Sequence, residues 1–233
     1  MAYDVAAQYR DASNLNARIA LHARFSTNPH GWTRWVFEQM RLASGERILE
    51  VGAGPATLWQ QNLDRVPPGG DITLTDFSPG MAEQARQNLR GSYPHFKVQV
   101  ANVESLPFED AGYDVVVANH MLYHVPDLPK GLSEIRRVLK PGGRLYAATN
   151  GEDNMRELSA LMARFDPTQP YDVSGAIAAF TLENGAALLE PYFSPVRLLR
   201  YEDGLAVTEP EPLVAYAASM GSLAGRFAEK TLA

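Results

Sequence analysis

The sequence predicts an α/β fold, a mostly parallel sheet with helices on both faces. Short apolar runs rich in β-branched residues recur at 47–51, 72–76, 96–100, 113–118 and 144–149, as strands buried on both faces require. Segments with helical spacing of apolar residues separate them. Breaks such as Pro67-Pro68-Gly69-Gly70 and Lys140-Pro141-Gly142-Gly143 punctuate the alternation. Strands and helices alternating this regularly imply βαβ units with right-handed crossovers, and therefore a parallel sheet.

The first strand organises the rest. Ile48, Leu49 and Val51 are apolar, and Gly52 and Gly54 follow. Neither glycine has a Cβ, so the backbone turns sharply there and can approach a ligand closely. A helix is expected from Ala56, with Pro55 in its first turn, where proline is tolerated. Glu50 interrupts the apolar run, so its charge needs polar partners at the strand's end. The third glycine of a dinucleotide fingerprint would fall at position 57, which is Thr57. The loop therefore favours a nucleoside without a diphosphate.

The second strand ends in Asp76; Phe77-Ser78-Pro79-Gly80 turns the chain, and Ser78 is a candidate N-cap for a helix over 81–89. The third strand closes at Asn102, and 106–112 is a loop. The fourth ends at Asn119-His120, followed by a helix with the stripe Leu132, Ile135, Val138 and Leu139. Arg136, Arg137 and Lys140 sit at that helix's C-terminus, where cations suit the helix dipole. Ahead of the first strand, helices are expected around Tyr9 to Leu21 and Thr33 to Leu42, flanking a turn-rich loop at 26–31. Trp32 and Trp35 read as packing of this cap on the sheet. Beyond 150, helical patterns cover 154–165, 181–192 and 212–220, and 196–201 with 205–208 reads as a hairpin.

The 233 residues suit a single domain: a cap at 1–45, a core at 46–150 and substrate-side helices with a sheet edge at 151–233. No cysteine is present, which excludes disulfides, thiolate metal sites and cysteine nucleophiles. A net charge of −6 argues against nucleic acid, which relies on Lys and Arg. No apolar run reaches membrane-spanning length, and the first residues lack the features of a secretion signal. A cytoplasmic protein is expected, either monomer or homodimer.

Gly52, Gly54, Asp76, Asn102, Asn119 and His120 all fall at strand ends, on the carboxyl edge where open parallel sheets bind ligands. A carboxylate at Asp76 offers acceptors to two ribose hydroxyls, and the Asn102 amide oxygen an acceptor to an adenine amino group. Phe77, Met81 and Val103 supply apolar surface for a purine.

On these residues the chain resembles the class I S-adenosylmethionine-dependent methyltransferases, and most of all the branch with the ubiquinone and menaquinone C-methyltransferases. The resemblance rests on Leu49-Glu50-Val51-Gly52-Ala53-Gly54, Asp76 with Phe77-Ser78-Pro79-Gly80-Met81, and Asn102-Val103-Glu104-Ser105-Leu106-Pro107-Phe108. It continues through Tyr113-Asp114-Val115-Val116, the stretch from His120 to Pro126, and Arg137-Val138-Leu139-Lys140-Pro141-Gly142-Gly143. It implies a Rossmann-like, mostly parallel seven-stranded sheet with an antiparallel C-terminal strand, which the hairpin would supply. It also implies S-adenosyl-L-methionine as cofactor and a small-molecule methyl acceptor. Gly52, Ala53 and Gly54 would then contact the methionine part of the cofactor, with Glu50 beneath and Asp76 on the ribose. Asn102 stands where that family often has Asp, keeping the acceptor without the charge. Asn119 and His120 would lie beside the sulfonium.

His120 is the candidate general base, its ordinary pKa being about 6.5. Packing and hydrogen bonding alone is the other reading. Tyr9 is a second candidate catalytic residue, reaching the pocket from the cap. His124 lies one helical turn from His120, but without a third ligand no metal site is expected. Tyr123 and His124 read as packing. Two other functions share the glycine loop and the ribose acid: a nicotinamide-dependent oxidoreductase, and a nucleoside-binding protein without catalysis.

Overall fold

The computed structural model describes residues 13–91, 96–165, 167 and 177–219. Five strands form the sheet among them: β1 (Arg47–Val51), β2 (Asp71–Asp76), β3 (Phe96–Val100), β4 (Tyr113–Asn119) and β5 (Leu139–Ala148). Their order is β3-β2-β1-β4-β5, and every pairing is parallel. The order reverses direction at β1, so β1 and β4 flank the crevice at which such sheets take ligands.

Alternate side chains of β1 explain the two layers. Leu49 and Val51 point to one face, where they join Val116, Leu132, Ile135 and Val138. Ile48 points to the other, with Ile72, Leu74, Val115 and Val117. The first face is covered by α5 (Leu128–Val138), which Asp127 caps by accepting from the Lys130 N–H at 3.1 Å. The second is covered by α2 (Trp32–Met40) and α4 (Pro79–Asn88). Ser78 caps α4 as expected, accepting from the Met81 N–H at 3.2 Å. Fully buried Trp59 centres this second layer, edge-on to Phe37 at 5.8 Å and to Phe96 at 5.7 Å. Buried aromatic pairs of this kind add about 0.5–1.5 kcal/mol beyond area burial.

The remaining helices are α1 (Ser13–Phe25), α3 (Thr57–Gln60), α6 (Arg156–Phe165), α7 (Gly185–Leu189) and α8 (Pro210–Ala218). The apolar spacing after Gly54 suggested a longer helix than α3. Ala56 adopts a left-handed φ of 62° and serves as N-cap, so Pro55 lies ahead of the helix instead of in its first turn. After Gln60 the chain passes into a 3-10 turn, Leu63–Arg65. The helix expected over 181–192 shrinks to the five residues of α7.

The sheet corrects the strand count. It has five described strands, all parallel, and not seven with an antiparallel edge. The hairpin expected at 196–208 does not form. Leu205 instead makes an isolated antiparallel bridge with Ser26, and the Ala206 N–H donates to the Phe25 carbonyl at 2.9 Å. Arg137 and Lys140 are structural: Arg137 donates to the Leu106 and Phe108 carbonyls and pairs with Glu134 and Asp110, while Lys140 pairs with Asp114 at 2.7 Å. Among the described residues no helix is long and apolar enough to cross a membrane.

Candidate active site

The carboxyl ends of β1, β2 and β4 open into a cleft of about 1900 Å³. Pockets for one small ligand usually measure about 300–1,000 Å³, so this one has room for two molecules.

The floor is the loop after β1. Gly52 and Gly54 take left-handed φ values of 66° and 54°, which glycine adopts without strain. A Cβ on Gly52 would lie 2.7 Å from Cβ of Met121, so the β1 and β4 loops touch only because that side chain is missing. The Ala53 N–H donates to the Thr75 carbonyl at 2.9 Å, and the Gly54 N–H to Oδ2 of Asp76 at 2.9 Å. Oδ1 of Asp76 accepts the Ser78 N–H at 2.8 Å. Each carboxylate oxygen keeps a further lone pair. Burial raises the Asp76 pKa, and the Ser78 and Gly54 N–H groups oppose the rise.

Glu50 is the most perturbed acid here. It is only 2% exposed and shares the Ile48 face, where the indole Nε1–H of Trp59 donates to its Oε2 at 2.5 Å. The Asn119 amide reaches its other oxygen at 3.5 Å. Burial pushes its pKa up to about 7, against the Trp59 and Asn119 hydrogen bonds, and Asp76 adds repulsion. The Asn119 amide oxygen is itself buried without a partner, a condition that costs about 1–3 kcal/mol. Among the described residues, none of the groups bonded to Glu50 or Asp76 carries a positive charge.

His120 follows Asn119 in a left-handed conformation, φ 52°, with its N–H donating to the Ala148 carbonyl at 2.8 Å. Such a φ is uncommon outside glycine and recurs at functional sites. The imidazole packs against Trp32 at a centroid distance of 4.8 Å, tilted by 52°. Burial lowers its pKa to about 4, with nearby His22 a smaller cause. It is therefore uncharged at neutral pH and does not titrate near the ordinary histidine value. His124, at 4.5 Å from the Tyr123 ring, is likewise lowered to about 4 by burial.

Phe77 stands 61% exposed at the mouth of the cleft, whereas Met81 is 1% and Val103 9% exposed within its wall. Oδ1 of Asn102 accepts the Glu104 N–H at 2.9 Å, closing a tight turn, with a second lone pair remaining. Every site residue expected from the sequence within the described range thus lines one cleft. Tyr9 lies outside the described residues. Two contributors were missed: Trp59 as the partner of Glu50, and Trp32, which was read as cap packing but meets His120. Neither leaves a sequence signal, because both contacts join separate elements.

The strand order, glycine loop and strand-end acid define a Rossmann-like α/β protein with its cleft at the carboxyl edge of the sheet. A pyrophosphate is poorly served, since α3 has four residues and little dipole to offer. Residues 49–147 match the family model described as a methyltransferase domain. Over that stretch the chain is similar to S-adenosylmethionine-dependent methyltransferases. The ubiquinone/menaquinone biosynthesis C-methyltransferase UbiE of Pectobacterium atrosepticum is 31% identical over 132 residues, which are 56% of this chain and 53% of that protein. The demethylmenaquinone methyltransferase of Symbiobacterium thermophilum is 36% identical over 119 residues, 48% of this chain and 47% of that protein. The chain spans about half, or less, of the length of the curated relatives it matches. A crystal structure of a SAM-dependent methyltransferase from Aquifex aeolicus shares the fold with a TM-score of 0.59 at 16% identity, over 80% of this chain and 90% of that one.

Proposed function

We propose that the protein is an S-adenosylmethionine-dependent methyltransferase that moves a methyl group to a carbon, oxygen or nitrogen nucleophile of a small molecule. The observation that carries this reading is the pair Glu50 and Asp76 on adjacent strands, two shielded carboxylates whose bonded partners among the described residues are neutral. A cationic, hydroxyl-bearing ligand is what such a pair lacks. The orphaned Asn119 oxygen and the uncrowded glycine loop fit the same ligand.

When bound, the cofactor supplies an electrophilic methyl on positively charged sulfur. The chain's own groups hold and align it. Gly52, Ala53 and Gly54 give the methionine part close backbone contact. Asp76 receives the ribose hydroxyls on its free lone pairs. Phe77 covers the purine, with Met81 and Val103 behind it and the Asn102 amide at its edge. Glu50 lies beneath, and its ionised form balances the ligand's charge. The remaining volume takes the acceptor, and alignment of two bound molecules is worth up to about 7–11 kcal/mol of barrier. Carbon is placed first among acceptor atoms because the Pectobacterium relative named above is a C-methyltransferase.

His120 borders both halves of the cleft. Uncharged, it has one ring nitrogen free to accept, and its lowered pKa makes an imidazolium costly. Its role is to receive a hydrogen bond from the acceptor and orient it. Calorimetric titration with S-adenosylhomocysteine and with NAD tests the reading. Binding of the former alone is expected; binding of NAD alone would overturn it.

A further inference from the structure

Trp32 lines the cleft beside His120, and the cause of its placement lies elsewhere in the chain. Trp32 opens α2 directly after the loop 26–31. The N-cap of α2 is Gly31, at φ 75°, and it provides no side-chain capping bond. The loop before it is fastened from outside. Asp203 accepts the Ser26 hydroxyl at 2.7 Å, the Thr27 N–H at 3.1 Å and the Asn28 N–H at 3.1 Å. The Asn28 side-chain amide donates to the Glu202 carbonyl at 2.8 Å, and the Thr27 N–H also donates to the Gly204 carbonyl at 2.9 Å. Just ahead of this turn, Tyr201 packs its ring on Trp35 at 5.3 Å. The aromatic contacts thus follow the fastened loop, one turn of α2 apart.

We propose that Asp203 is a positioning residue for this wall of the cleft: as the hub of a clasp between loop 26–28 and the 202–206 turn, it sets Trp32 against His120. This rests on the methyltransferase reading for its functional meaning, but the clasp itself does not. Asp203 works through hydrogen-bond geometry more than charge, because its partners here are three backbone N–H groups, of Thr27, Asn28 and Gly204, and the hydroxyls of Ser26 and Thr27. An asparagine keeps the one acceptor oxygen that the three N–H groups share, and its amide can donate to the Ser26 hydroxyl, which accepts as well as donates. An alanine keeps neither.

The test labels the full chain with 5-fluorotryptophan. Its three tryptophans give three fluorine resonances, assigned by single Trp→Phe variants. In Asp203→Ala, the Trp32 and Trp35 resonances should shift or broaden while that of Trp59 stays in place, and Asp203→Asn should restore both. S-adenosylhomocysteine affinity should remain within twofold in either variant. An unmoved Trp32 resonance in Asp203→Ala overturns the proposal, as does failure of Asp203→Asn to restore it. So does a Trp59 resonance that moves with the others, since that would mark a loss of general scaffold. Spectra are compared with and without S-adenosylhomocysteine. If the wild type binds none of it, the function assigned above fails, while the ligand-free spectra still decide the role of Asp203.

Discussion

Replacing Glu50 with glutamine changes one buried proton site and keeps the shape of the side chain. In the ligand-free protein, burial raises the Glu50 pKa from 4.5 to about 7. A carboxyl raised on folding favours the folded state below its unfolded pKa, and that advantage disappears as pH rises through the folded pKa. Between those values the unfolded chain ionises while the folded protein holds its proton, and each unit of difference is worth about 1.4 kcal/mol. At pH 5 little of the loss has developed, and at pH 8 nearly all of it has. The wild type should therefore lose about 2–3 kcal/mol from this group across that interval. Glu50→Gln does not titrate. Its amide oxygen can accept from Trp59, and its NH₂ can serve the buried Asn119 oxygen once that amide turns. Melting both proteins at pH 5 and pH 8 isolates the effect, since most other titrations cancel in the difference. Relative to wild type, Glu50→Gln should gain about 5–10 °C in Tm on going from pH 5 to pH 8, at the usual 2–4 °C per kcal/mol for this size. An equal difference at both pH values would refute the argument.

Other substitutions probe the same pocket. Gly52→Ala adds a Cβ at φ 66°, 2.7 Å from that of Met121, and should lower stability by about 1–3 kcal/mol in a denaturant titration. Asp76→Ala should weaken S-adenosylhomocysteine binding at least tenfold, about 1.4 kcal/mol, and should also lower the melting temperature, since the Gly54 and Ser78 N–H groups lose their acceptor. His120→Ala should retain cofactor affinity by calorimetry and lose turnover, and His120→Gln should keep part of it. Because His120 lies near pKa 4, the pH profile of wild-type turnover should show no limb from it near pH 6.5. S-adenosylmethionine affinity should rise as pH passes through about 7, where Glu50 ionises, and that rise should vanish in Glu50→Gln.

The parallel core was legible because its signals are local. Period, turn residues and caps at Ser78 and Asp127 act within a few residues of themselves, and the strand-end residues inherit their meeting point from topology. Glu50 could be marked as needing polar partners, but not that the partner is Trp59. That contact depends on α3 ending after one turn and on the indole lying flat in the second layer. The segment 196–208 shows where pattern reasoning fails. Its β-prone composition was real, yet pairing is decided by which partner is nearest, and loop 26–28 with Asp203 competed successfully. The electrostatics of His120 were equally hidden. Its ordinary pKa held as an expectation only until the cleft walls and Trp32 closed around it.

A crystal of the protein soaked with S-adenosylhomocysteine tests the central claim most directly. The ribose should bond to Asp76, the amino-acid part should lie over Gly52, Ala53 and Gly54, and the sulfur should face His120. A nucleoside bound elsewhere, or none bound at saturating concentration, would contradict it.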